Sequence, residues 1–310
     1  MPPLAAAALF LSALQPSLQA PAATPSPSAY VPQRVYDTRQ KAFADFESML
    51  ADLTRADVVF VGEQHDDANT HRLELAMLEG LLRRNVPVVV AMEMFERDVQ
   101  PQLDRYLAGT ITEEEFLASS RPWPRYATDY RPIIEFARAH HLPVLASDVP
   151  RRIASDVAKS GLGVVDGLGS DRGLAARDLA CPPSGGYYDR FLEAMGGHPA
   201  SGDPQPADVA AKNNRFYFAQ CVKDETMGES IANALETKPE ARATIVHFNG
   251  AFHSDYAQGT AAAASRRLPG RRIAVVSILP VEDLDHQQPN EDQTKLADYL
   301  VYTLQSAARK

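Results

Sequence analysis

The chain has 310 residues, of which 45 % are apolar, and a net charge of −9. That is enough apolar matter for a substantial core in one large domain or one domain with an insertion. The acidic balance, with no basic stripe alternating with aromatics, excludes a general nucleic-acid surface.

The opening stretch MPPLAAAALFLSALQPSLQA is apolar and then rich in small residues, so 1–23 reads as a secretory signal cleaved after Ala20 or Ala23, although its start carries no Lys or Arg. It is too short and interrupted to span a bilayer. No cysteine near the junction supports a lipid anchor, so a periplasmic or secreted protein without a transmembrane segment is expected. Residues 24–34, rich in Pro, Ala and Ser, read as a disordered leader. The domain proper is expected over 35–310.

Ala56 to Val61 (ADVVFV) is a compact apolar run, as in a strand buried on both faces. His71 to Arg84 has helical spacing, with Leu75, Leu78 and Leu82 on one face. His71 opens that helix and is read as a surface position, with a turn back toward the strand end as the alternative. Pro87 to Met94 (PVVVAMEM) is a second strand, and strand–helix–strand fits a right-handed crossover in a parallel sheet. Glu96 to Ser120 reads as helical, with a capping box at Thr112 and Glu115. A connection over Arg121 to Arg131 leads to a short helix at Pro132 to His140 and a third strand at Pro143 to Ser147. Arg151 to about Glu236 reads as helices broken by the Gly/Pro-rich stretch from Gly196 to Pro206. Ala243 to Phe248 is a fourth strand, Ala261 to Leu268 a helix and Arg272 to Leu279 a fifth strand. Asp283 to Gln293 reads as a polar, mobile tail. The fold class is therefore α/β: a mostly parallel sheet flanked by helices, with a smaller helical subdomain from insertions at about 96–130 and 151–236.

The same short pattern ends two of these strands, Gly62-Glu63-Gln64-His65 and Gly250-Ala251-Phe252-His253. In an open parallel sheet, ligands bind at the carboxyl ends of strands. That rim is offered Glu63 and His65, Glu93, Asp148, and Asn249 and His253. Asp148 could equally be a helix cap. Glu93 lies inside an apolar run, where an unpaired carboxylate is costly, so a cation, a metal or a histidine is expected beside it. His65, Glu93 and His253 suit a divalent metal (Zn, Mn or Co) that would activate water for hydrolysis, with a Glu as base. The same groups could act without metal as acid and base. His247, within a strand, reads as a core histidine. No Gly-x-Ser-x-Gly occurs, and the glycine-rich 161–169 follows a helix end and makes a weak phosphate cradle. Cys181 and Cys221 leave two alternatives open, a disulfide or two separate buried thiols.

The segments VVFVGEQHDDANTH, VVVAMEMFERDVQPQLDRYLAG, WPRYATDYRPIIEFAR with LPVLASDVPRR, FAQCVKDETMGESI and HFNGAFHSDYAQG occur in this order. Together they resemble the ChaN-like haem-binding family of the Tiki/TraB superfamily, whose hallmark is paired Gly-x-x-His motifs with a Glu. The resemblance implies a parallel α/β domain with a smaller helical part, export, and binding of haem for uptake or trafficking. In some members haem forms a cofacial pair between two subunits with tyrosine on the iron, so a homodimer is implied as a possible assembly. Metal-dependent proteases of the superfamily keep hydrolysis as the alternative. By motif position, Glu63, His65, Glu93 and His253 match the superfamily's polar cluster. For haem iron the resemblance implies a tyrosine, with Tyr217 the first choice and Tyr187 and Tyr188 beside it. Arg190 and Arg215 are at hand for the propionates. Members are often lipid-anchored, and this chain has no cysteine for that.

Overall fold

The computed structural model describes residues 30–196, 207–237 and 243–306. The stretch 1–23 read as a signal, most of the stretch read as a leader and most of the stretch from Gly196 to Pro206 lie outside the described residues. Eight strands form one sheet: β1 (Gln33–Asp37), β2 (Ala42–Ala44), β3 (Val58–Glu63), β4 (Val88–Glu96), β5 (Val144–Asp148), β6 (Thr244–Gly250), β7 (Ile273–Val281) and β8 (Tyr299–Leu304). The helices are α1 (Phe46–Leu53), α2 (Ala68–Arg83), α3 (Gln100–Leu107), α4 (Glu113–Ser120), α5 (Tyr126–Asp129), α6 (Arg131–Ala139), α7 (Arg151–Ser160), α8 (Gly186–Ala194), α9 (Ala207–Glu236) and α10 (Gly259–Arg267). The sheet order is β2-β1-β8-β7-β3-β6-β4-β5, parallel from β8 through β5, with β1 antiparallel to both β8 and β2.

The five strands expected from apolar runs form the parallel body. Three further strands depart from the sequence reading. β1 starts at Gln33, inside the segment read as leader. β8, YLVYTL, is rich in aromatic and β-branched residues, a strand signal in its own right. The polar stretch before it holds no crossover helix, so its place beside β7 is a matter of pairing alone. That stretch is not a loose tail: Arg34 Nη1 donates to the carbonyl oxygens of Leu284, Asp285 and Gln287 at 3.0, 2.9 and 3.0 Å.

Alternation along β3 divides the core. Val59 and Val61 pack with Leu73, Met77, Leu78 and Leu81 of α2, while Val58 and Phe60 pack with Ile231 of α9 and Ala261 and Ala264 of α10. The crossover from β3 through α2 to β4 therefore covers one face, and that from β6 through α10 to β7 covers the other. The two leave β3 and β6 in opposite directions, which opens a crevice at the strands' carboxyl ends. Local chemistry agrees with these elements. Asp67 caps α2 by accepting from Asn69 N and Thr70 N, and the Thr112–Glu115 capping box opens α4.

The helical part reaches the site through α9. A Cβ at Gly228 would lie 2.6 Å from Ala263 Cβ and 2.8 Å from Ala264 N, so only glycine lets α9 lie this close to α10. Cys181 and Cys221 form a disulfide, with Cα atoms 5.7 Å apart, that fastens the segment before α8 to α9. Of the two cysteine alternatives, pairing is the one realised.

Candidate functional site

The two Gly-x-x-His turns explain each other's glycines. A Cβ at Gly62 would meet Ala251 Cα at 3.0 Å, and one at Gly250 would meet His65 Nε2 at 2.6 Å. β3 and β6 are neighbours with Gly62 opposite Asn249 and Glu63 opposite Gly250, so the turns interlock across the rim. Around them lies a pocket of about 620 Å³, lined among others by Glu63, His65, Glu93, Lys223 and His253. Its outer wall is apolar, with Trp123, Phe191, Ala194, Met195 and Phe252.

The pocket has two linked charge clusters. In the first, Glu93 is 1 % exposed; its Oε1 takes Lys223 Nζ at 3.0 Å and lies 3.2 Å from His253 Nε2, and its Oε2 accepts from Gly250 N at 2.9 Å. Burial pushes this carboxyl up, but the opposing His253 and Lys223 charges outweigh it and hold Glu93 well below the usual range. Lys223 also pairs with Asp148 at 3.3 Å. Burial pushes Asp148 up to about 6. On its far side His253 Nδ1 lies 2.6 Å from Asp224, which also accepts from Thr260 and Tyr187. Burial works against a charged His253, yet Glu93 and Asp224 raise it to about 10.

In the second cluster, Glu63 accepts from Tyr130 Oη at 2.9 Å and from His65 Nδ1. His71 stands behind it, its Nδ1 2.9 Å from Glu74 Oε2 and 3.3 Å from Glu63 Oε2, and its Nε2 3.2 Å from the His65 carbonyl. Burial would raise Glu63, but the bond from His65 and the charge of the adjoining His71 keep it below the usual range. Burial and the neighbouring Glu63 charge push Glu74 well up. The surface reading of His71 is corrected: it is 4 % exposed and points back at the strand end.

The raised His253 gives a pH dependence whose sign is fixed. A cation whose folded pKa lies near 10, above its ordinary 6.5, adds stability that is complete below about pH 6.5 and lost as pH rises through 10. Wild-type unfolding free energy from urea titrations is expected to fall between pH 7 and 10, and the fall should be shallower in His253→Gln. Equal slopes in the two proteins would contradict the ion pairs.

A family model described as haem-binding uptake, Tiki superfamily, ChaN matches residues 49–263, more than half of the chain. The chain belongs to this ChaN family. Among solved structures it is similar to the ChaN of Campylobacter jejuni described as binding haem cofacially, with 15 % identity, 89 % of this chain and 97 % of that one covered, and a TM-score of 0.63. It is also similar to the type III effector HopBA1 (12 % identity, coverage 90 % and 99 %, TM-score 0.47) and to a Bacillus cereus protein (11 %, 84 % and 94 %, TM-score 0.44). At these identities the likeness concerns the fold, which the first comparison bears out as ChaN-like α/β. No curated protein is similar enough in sequence to match.

Within this ChaN-family fold the strand-end residues read from the sequence fall into distinct positions. Glu63, His65, Glu93 and His253 share the pocket. Asp148 stands behind it and caps no helix; its Oδ1 accepts from Val149 N at 2.7 Å. Asn249 faces inward, accepting from His247 Nδ1 at 2.9 Å and donating to Ser254 Oγ at 3.0 Å. His247 is fully buried and pushed down to about 4, a core histidine as read. Among the described residues, the one set of three or more His, Cys, Asp or Glu side chains with ligand atoms within 4.8 Å of one another is Glu63, His71 and Glu74, a different trio from His65, Glu93 and His253. The tyrosines lie outside the pocket lining: Tyr217 is 3 % exposed among Tyr187, Tyr188 and Phe191, Tyr187 donates to Asp224, and Tyr188 donates to Asn214 at 2.5 Å. Arg190 lines the pocket and Arg215 does not.

Lys223 and Asp224 went unread in the sequence. They follow Cys221 on a polar helix face, and nothing in a 3.6-residue period tells which face meets the sheet. The expectation of a cation beside Glu93 was the one available signal for Lys223. Tyr256 was likewise passed over. It stands three residues after His253, is 38 % exposed, and its ring lies 5.1 Å from the Arg190 guanidinium.

Proposed function

We propose that this protein is exported and binds haem in the strand-end pocket, as a carrier in haem or iron uptake or trafficking. The observation that carries this reading is Arg190. It lines the pocket beside Asp255, its Nη2 donates to the Phe252 carbonyl oxygen at 2.7 Å, and its buried Nε has no hydrogen-bond partner, which leaves an N–H to spare for a ligand carboxylate. A haem propionate supplies one, and the adjoining apolar wall of Trp123, Phe191, Met195 and Phe252 suits a porphyrin face. Lys223 is the second cation at hand. For ferric iron we favour Tyr256, which is 38 % exposed beside Arg190 at the pocket's edge, over Tyr217, which is 3 % exposed in an aromatic cluster outside the lining. Export is supported by the apolar start and by the Cys181–Cys221 disulfide, a bond of oxidising compartments.

Hemin titrated into the full chain is expected to give a saturable Soret change. Arg190→Glu should weaken it at least about tenfold, or about 1.4 kcal/mol. Tyr256→Phe should alter the Soret position and Tyr217→Phe should not; the reverse pattern would return the ligand to the ring cluster. Growth of the particle mass to twice that of the chain on adding hemin would support a homodimer. A flat spectrum would refute the proposal.

The alternative, a hydrolase using the strand-end cluster with or without Mn, Zn or Co, is favoured by the convergence of Glu63, His65, Glu93 and His253 on one pocket. It has to contend with Lys223, whose ammonium already holds the Glu93 oxygen a metal would need.

A further inference from the structure

Behind the pocket, Glu63 and Glu74 bring two carboxylates together at almost no exposure, 1 % and 0 %. Glu63 Oε2 and Glu74 Oε1 are buried and have no hydrogen-bond partner. An imidazole completes the group. His71 Nε2 faces the carbonyl oxygen of His65 at 3.2 Å and Asp129 Oδ2 at 3.6 Å, both acceptors, so this nitrogen carries a proton, and any proton on Nδ1 is the one an ion would displace. The tautomer is thereby set in the manner of histidines that bind metals, and Nδ1 turns its other side to the two carboxylates. It lies 2.9 Å from Glu74 Oε2 and 3.3 Å from Glu63 Oε2. A tetrahedral ion bound at about 2.0–2.1 Å separates its ligand atoms by about 3.3 Å.

We propose that Glu63, His71 and Glu74 form a site for a divalent cation of the Zn²⁺ or Mn²⁺ class, distinct from the His65, Glu93 and His253 set. Two carboxylates and a neutral imidazole around such an ion make a neutral buried group, with the donors these metals take. The ion holds Glu63 in place and, through the Glu63–His65 contact, orients the imidazole at the pocket's rim. The competing arrangement is an imidazolium with one proton shared between the carboxylates. The site rests on its own geometry and does not depend on haem binding.

Zn²⁺ is the probe. The full chain is stripped with chelator, exposed to Zn²⁺, freed of excess by gel filtration, and its metal counted. The expected result is about one equivalent retained with a higher melting temperature, as for any ligand that binds only the folded state. Glu74→Gln should lose both effects, and His253→Ala should keep them. If His253→Ala loses the ion or Glu74→Gln retains it, the metal belongs to the strand-end set and the proposal falls. Folded wild-type protein that retains none leaves the shared proton, and the proposal falls again. Should Glu74→Gln not fold, anomalous scattering at the zinc edge from wild-type crystals decides: a peak among Glu63, His71 and Glu74 supports the site, and a peak elsewhere overturns it.

Discussion

Glu93→Ala is expected to destabilise the protein by about 3–5 kcal/mol, the cost of leaving a buried charge without its partner. Glu93 neutralises Lys223 at 3.0 Å and His253 at 3.2 Å and accepts from the Gly250 amide at 2.9 Å. Alanine removes all three at once, at a position that is 1 % exposed. Glu93→Gln keeps the shape and an acceptor for the amide, so its loss should be smaller. The double variant Glu93→Gln/Lys223→Met should recover little of it, since Lys223 also pairs with Asp148 at 3.3 Å and its removal leaves that carboxyl without a cation. Urea unfolding at pH 7 measures all three. A loss below about 1 kcal/mol for alanine would mean that the carboxylate is solvated, like an exposed ion pair.

Removing the Cys181–Cys221 disulfide should have an effect of similar size. The bond closes a loop of 40 residues. Chain entropy alone then gives about 4 kcal/mol, and typical losses are about 2–4 kcal/mol. Cys181→Ala/Cys221→Ala is expected to lower the urea midpoint accordingly, and dithiothreitol should bring the wild type to the same value while leaving the variant unchanged. A wild type indifferent to the reductant, with free thiols by titration, would exclude the bond. Because the disulfide anchors α9, which carries Lys223 and Asp224, the variant should also bind hemin less tightly.

Much of the fold was legible because a strand buried on both faces has little choice of composition. VVFV, VVVAM and TIVHF could hardly be anything else, and the crossover between the first two forces a parallel pair. Glu93 was legible for the opposite reason, as a charge where charge is costly. The twin glycine–histidine turns were legible as strand-end features. Their reciprocal fit, each glycine making room for the other motif, was not, because it depends on β3 and β6 being neighbours.

The partners supplied by helices were hidden. Lys223, Asp224 and His71 are polar residues on amphipathic helices, and such residues are ordinarily solvated. What brings them to the site is the packing of α9 and α2 against the sheet, with α9 held close to α10 at Gly228. The tyrosines follow the same rule: Tyr217 and Tyr256 are equal as letters, and only packing buries one and leaves the other partly exposed.

By itself, then, the amino-acid order determined the parallel α/β body, the strand ends that carry chemistry, and the need for a counter-charge at Glu93. Tertiary structure alone decided which cation answers it, that the cysteines pair, and that His71 turns inward beside Glu63 and Glu74. The reason is one of range. Backbone pattern and burial cost act within a few residues, whereas ion pairs form between groups as far apart in the chain as Glu93 and Lys223, whose meeting depends on how helices pack against the sheet.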